Sequence, residues 1–137
     1  GGSPGYLLHT LEDTPVWAAI KEVYDGGGVL AGCSAGAMVL GSMTRVRRGG
    51  PAGWDWEPGL SLLPGLAIAP HFNRMNAERL EDLIKGSPPG HTVVGVDEHT
   101  AAVGDGARWT VMGRGSVTVI RDGVLTSYPC GQTFETP

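Results

Sequence analysis

The chain has 137 residues, 41% hydrophobic and 18% charged, with a formal net charge of −4. That length and balance fit one globular domain and exclude a disordered chain. The acidic balance excludes nucleic acid as the expected partner, and no apolar run approaches the roughly 20 residues that span a bilayer, so the chain reads as soluble, with no membrane partner.

The first residues, Gly1-Gly2-Ser3-Pro4-Gly5, carry no methionine and follow no strand-like run, so the chain reads as a fragment or a processed piece. His9 falls on an early helix as a surface or capping group. Asp13-Thr14-Pro15 is a helix start, a capping side chain followed by proline at the first helical position. Val16, Ala19, Ile20, Val23 and Tyr24 then place one apolar stripe on one helix face, and Gly26-Gly27-Gly28 ends it. Val29-Leu30-Ala31 reads as a short buried strand, followed by a helix or helical turn to about Leu40. Residues 45–59 are rich in Gly, Pro, Arg and Trp without periodicity and read as a long loop. Within it Arg45-Val46-Arg47-Arg48 is expected to be a solvated charge run, and Trp54 and Trp56 to pack on their own domain, closure over a substrate being the alternative.

Leu66-Ala67-Ile68-Ala69 is the next strand, with Pro70-His71-Phe72 at its end. Asn73 is positioned to cap a helix running to about Lys85, with Met75, Leu80, Leu83 and Ile84 inward and Gly86 as its stop. Thr92-Val93-Val94-Gly95-Val96 is apolar enough for a sheet interior and runs into Asp97-Glu98. Strands are also expected at 101–103, 109–112, 117–120 and 124–125, the last two joined by an Asp122-Gly123 hairpin turn. Helices alternating with strands early and hairpins late predict an α/β sheet, mostly parallel, with antiparallel strands at one edge.

Gly32-Cys33-Ser34-Ala35-Gly36 reads G-x-S-x-G between the strand-like run and the helix, which predicts a nucleophile elbow. In such an elbow the glycines flank the serine because a Cβ there would strike neighbouring backbone. Ser34, His71 and the Asp97/Glu98 pair all fall at expected strand ends, where open α/β sheets gather their reactive groups. A serine hydroxyl is a weak nucleophile until an imidazole takes its proton, and the imidazole needs an acceptor on its far nitrogen. Cys33 and Cys130 lack disulfide or metal spacing, and His9, His91 and His99 lack metal spacing, so neither metal nor cofactor is expected. Cys33 reads as a small buried filler, and two isolated cysteines fit a reducing, cytoplasmic compartment.

The motif Gly32-Cys33-Ser34-Ala35-Gly36-Ala37, the segment Pro70-His71-Phe72 with Arg79 on the helix behind it, and Gly95-Val96-Asp97-Glu98-His99-Thr100-Ala101 together resemble the dipeptidase E and cyanophycinase family of serine peptidases. Gly1-Gly2, Val111-Met112-Gly113 and Val117-Thr118-Val119 extend the resemblance over nearly the whole chain, in order.

The resemblance implies a flavodoxin-like, class I glutamine amidotransferase-like sheet with helices on both faces. Residues 1–137 would be the C-terminal portion of one α/β serine peptidase domain, with further strands and helices before the Gly-Gly supplied by a separate segment. Ser34 matches the nucleophile, His71 the general base and Glu98 the third member. Asp97 is the neighbouring alternative, and Asp55 and Glu57 are offered because some members carry the acid between serine and histidine. The oxyanion hole would use the backbone N–H groups of Gly2 and Ala35. Arg79, with Arg74 as second candidate, would bind a substrate carboxylate, a solvated helix-face charge being the alternative for either. The implied substrates are small peptides: dipeptides with N-terminal aspartate, or, as in cyanophycinase, β-Asp-Arg units. A glutamine amidotransferase is disfavoured because its cysteine would have to stand where Ser34 stands. A non-catalytic binding domain of the same fold is the other class, and oligomeric state, a homo-oligomer included, is left open.

Overall fold

The computed structural model describes residues 1–47 and 53–137. Arg48 of the basic run lies outside the described residues. In chain order the elements are helices α1 (Pro4–Leu11), α2 (Pro15–Asp25) and α3 (Ala35–Met38), strands β1 (Met43–Arg47), β2 (Trp54–Pro58) and β3 (Leu66–Pro70), a 3₁₀ turn (Phe72–Arg74) and helix α4 (Ala77–Gly86). Strands β4 (Thr92–Val96), β5 (Thr100–Gly104), β6 (Arg108–Gly113), β7 (Ser116–Arg121), β8 (Val124–Pro129) and β9 (Thr133–Glu135) follow. The chain is thus mixed α/β.

The central sheet has four strands in the order β3-β4-β7-β8. Among the described strands only β3 and β4 pair in parallel, with Ile68 opposite Val94, whereas β4–β7 and β7–β8 are antiparallel. The expected predominance of parallel pairing is therefore absent from these residues, because tight turns such as Asp122-Gly123, both at positive φ, return the chain directly alongside itself.

Period-two alternation divides the core into two layers. Ala67, Ala69, Val93 and Ile120 face Leu83 of α4, with Phe72, Met75, Leu80 and Ile84 packed around them. Ile68, Val94, Val96, Val117 and Val119 face the other way, onto Val111, Trp109 and Phe134 of the three-stranded sheet β5-β6-β9. Burial of these strands and of Leu83, which is 0% exposed, holds the platform from which the site projects.

Two expectations fail here. The described part of residues 45–59 is not a long loop: β1 and β2 pair antiparallel with Arg45 opposite Trp56, while residues 48–52 of that reading lie outside the described residues. Its pattern is hidden because the paired face carries Arg and Trp instead of aliphatics. Val29-Leu30-Ala31 is not a buried strand; it lies outside all sheets, with Val29 94% exposed. An apolar run becomes a strand only where a neighbouring edge supplies hydrogen-bond partners. Helix α2 is capped as expected, Thr14 Oγ1 accepting from Trp17 N–H at 3.2 Å, and its apolar stripe buries no residue among those described.

Candidate active site

Ser34 occupies a bend with φ 52° and ψ −118°, a left-handed φ that non-glycine residues rarely adopt, immediately before α3. Such strain persists only where its surroundings enforce it. Gly32 is part of that enforcement, since a Cβ there would lie 2.5 Å from the Gly36 carbonyl oxygen and 2.8 Å from the Ala37 backbone. Gly36 differs: a Cβ at that position meets nothing within 4 Å, so only the first glycine of the motif is sterically required. Ala35, the first residue of α3, is buried and has no intrahelical acceptor for its N–H. Cys33 is exposed, not the buried filler expected, because the bend turns it outward beside Ser34.

His71 follows β3 directly and is itself left-handed, with φ 54°. The next residue, Phe72, lies across Gly95 of the adjacent strand, where any Cβ would collide with its ring. Gly95 therefore seats Phe72 and, through it, sets the direction of His71. The His71 Nε2 atom lies 3.1 Å from Ser34 Oγ, and Nδ1 lies 3.2 Å from Glu98 Oε1. An ionised carboxylate only accepts, so the proton sits on Nδ1 and the Nε2 lone pair faces the serine hydroxyl.

Glu98 stands in the turn after β4 and is fixed from two sides. Arg74 Nε donates to its Oε2 at 2.9 Å, and its backbone N–H donates to Asn73 Oδ1 at 3.0 Å. The Arg74 hydrogen bond, and after it that of His71, hold the carboxyl below its ordinary value, so it stays ionised into mildly acid solution. Asn73 therefore does not cap the helix; Asn76 does, accepting from Arg79 N–H at 2.9 Å, and α4 starts three residues later than the apolar pattern indicated.

The other acids are engaged elsewhere. Asp97 Oδ2 accepts from Ser116 N–H at 2.9 Å and fastens the start of β7. Glu57 lies 3.1 Å from His9 Nε2, and Asp55 accepts from Trp56 N–H on β2. Of the two arginines proposed for substrate, Arg74 is the partner of Glu98, while Arg79 points its exposed side chain into the cleft beside Ser34.

Two depressions meet at Ser34 and His71. One, of about 240 Å³, is lined by Gly2, Trp54, Met75 and the arginines Arg45, Arg74 and Arg79, with Asp82. The other, of about 780 Å³, is largely apolar and runs past Val29, Leu30, Ile68, Val94 and Trp109. Arg45, expected as a solvated charge, is largely buried in the hairpin, with its side chain 12% exposed. Among the described residues no group of three or more His, Cys, Asp or Glu is placed to hold a metal ion. No described helix is long and apolar enough to cross a membrane.

The model of peptidase family S51 matches residues 1–112. The chain is 36% identical over 137 residues to a cyanophycinase of Trichormus variabilis and 36% identical over 140 residues to one of Synechococcus elongatus. These alignments cover 92% and 93% of the chain but 45% and 42% of the relatives, so the chain spans less than half their length. Among solved structures, a peptidase from an acI-B1 Actinobacterium superposes with a TM-score of 0.82 at 31% identity, over 99% of this chain and 57% of that one.

Proposed function

The chain belongs to peptidase family S51, and from that premise we propose that it carries the nucleophile, base and acid of a serine peptidase acting on small aspartyl peptides. The observation that carries this reading is the continuous hydrogen-bonded chain Ser34–His71–Glu98, with contacts of 3.1 and 3.2 Å.

As Ser34 Oγ attacks the carbonyl carbon, His71 Nε2 takes its proton, and ionised Glu98 stabilises the imidazolium through Nδ1–H. The tetrahedral oxyanion is received by Ala35 N–H, helped by the N–H of Gly2, which lines the same cleft. Collapse breaks the C–N bond, His71 returns the proton to the leaving amine, and an acyl-Ser34 remains. Water then attacks the ester, His71 takes its proton, and the acid is released with Ser34 restored. Arg74 is a positioning residue: it keeps Glu98 charged and pointed at the ring.

Dipeptides with N-terminal aspartate are one substrate class. The cyanophycinase relatives support β-Asp-Arg units equally. Hydrolysis of a panel of Asp-X, β-Asp-Arg and neutral dipeptides separates them: faster turnover of either aspartyl class supports the reading. No hydrolysis of any, in folded protein, makes the chain a binding module of the same fold.

The same reading takes residues 1–137 as the C-terminal portion of one flavodoxin-like, glutamine amidotransferase-like domain, completed by a segment outside this sequence. In its favour are the greater length of the relatives and the exposed apolar surfaces of α2 and Val29. A cytoplasmic location belongs to it too, supported by the free thiols of Cys33 and Cys130.

A further inference from the structure

Arg45 is an unusual arginine for a hairpin strand. Its guanidinium carbon lies 5.8 Å from the Trp54 ring centroid and 5.6 Å from that of Trp56, so two indole rings attract the cation and restrict it. Its Nη2 donates to Asp82 Oδ2 of α4 at 2.5 Å, across the cleft beside Ser34. Its Nε is buried and has no hydrogen-bond partner among the described residues, a costly condition for a charged donor. The cleft is lined by three arginines and one aspartate, and of the three arginines Arg74 is already paired with Glu98.

We propose that Arg45 is a specificity-determining residue that binds a carboxylate of the substrate in this cleft. A carboxylate matches a planar guanidinium fork, and the two tryptophans hold that fork ready, so little side-chain entropy is lost on binding. Arg79, which lines the same cleft, adds a second cation to the same group. Asp82 acts as an internal competitor, occupying one N–H of Arg45 until substrate arrives. This assignment rests on the peptidase reading for its substrate, but the binding it describes is measurable without turnover.

The test uses succinate as a probe, with affinity read by calorimetry in the wild type, Arg45→Met, Arg45→Lys and Asp82→Asn, each checked for folding by its melting temperature. Arg45→Met is expected to weaken succinate binding about 10–100-fold. Arg45→Lys, which keeps the charge and the pairing with Asp82 but loses the fork, recovers little of it. Asp82→Asn, by releasing Arg45, tightens binding severalfold, an effect that a purely structural Arg45–Asp82 link would not produce. Unchanged succinate affinity in folded Arg45→Lys, or unchanged or weaker binding in Asp82→Asn, overturns the proposal. Failure of peptide hydrolysis with these binding changes intact would instead remove the peptidase reading alone.

Discussion

The two halves of the Ser34–His71 pair rest on unlike foundations. His71 and Glu98 extend from β3 and β4, neighbours in a parallel pair whose side chains fill both core layers, and Phe72 on Gly95, Asn73 on Glu98 and Arg74 on Glu98 brace them further. Ser34 instead follows segment 28–33, which belongs to no described strand, and is held by its own bend, by Gly32 and by the packing of α3 on β3. His71 and Glu98 are thus pre-organised by a core that this sequence supplies, whereas the approach to Ser34 is bordered by uncovered apolar surface.

The same contrast separates two amphipathic helices. In α4 the apolar face buries Leu83 fully, while in α2 a comparable stripe leaves Val16 60% and Val23 66% exposed. Periodicity specifies that a helix has a face; it does not specify that anything covers it.

Substitutions can break this contrast. The largest effect on stability is expected from Leu83→Ala, which empties the layer beneath α4 and costs about 2–5 kcal/mol by denaturant unfolding. A loss under about 1 kcal/mol would show the two foundations to be alike. Arg74→Met is expected to lower kcat/KM about tenfold, less than the 10²–10⁴-fold that losing a general base brings. It also moves the Glu98 titration upward. With Arg74 present the folded-state pKa is depressed, so the contribution of Glu98 to stability is full above the ordinary carboxylate pKa and is lost as pH falls through the lowered value. Without Arg74 the folded-state value rises, so that contribution is smaller and is gone at a higher pH, and an NMR titration of the Glu98 carboxyl detects the rise; an unmoved titration would deny Arg74 its role. The smallest effect is expected from Val29→Ser, within about 0.5 kcal/mol in this chain because the side chain is already in water. A cost above about 2 kcal/mol would mean that the segment is covered.

Ser34, His71 and Glu98 were legible in the sequence because each is set by local chemistry: a glycine that admits a tight bend, a strand end, a turn after a buried strand. What was not legible depends on contacts between distant residues. The hairpin of β1 and β2 lacks aliphatic alternation because Arg45 packs against Trp54 and Trp56. The start of α4 is displaced because the Asn73 side chain turns to Glu98, leaving the cap to Asn76. β9 escapes notice because Phe134 is the single apolar residue in its three, stacked with Trp109 at 6.3 Å. The apolar run at 29–31 misleads in the opposite sense, having strand composition without a strand neighbour.

The most direct test of nucleophilic activation is labelling by a fluorophosphonate, with the modified residue located by mass spectrometry. One phosphonyl group on Ser34 is expected in the wild type, and none in Ser34→Ala or, at equal exposure time, in His71→Ala. Labelling elsewhere, labelling of Ser34 undiminished by loss of His71, or peptide hydrolysis retained in Ser34→Ala would contradict it.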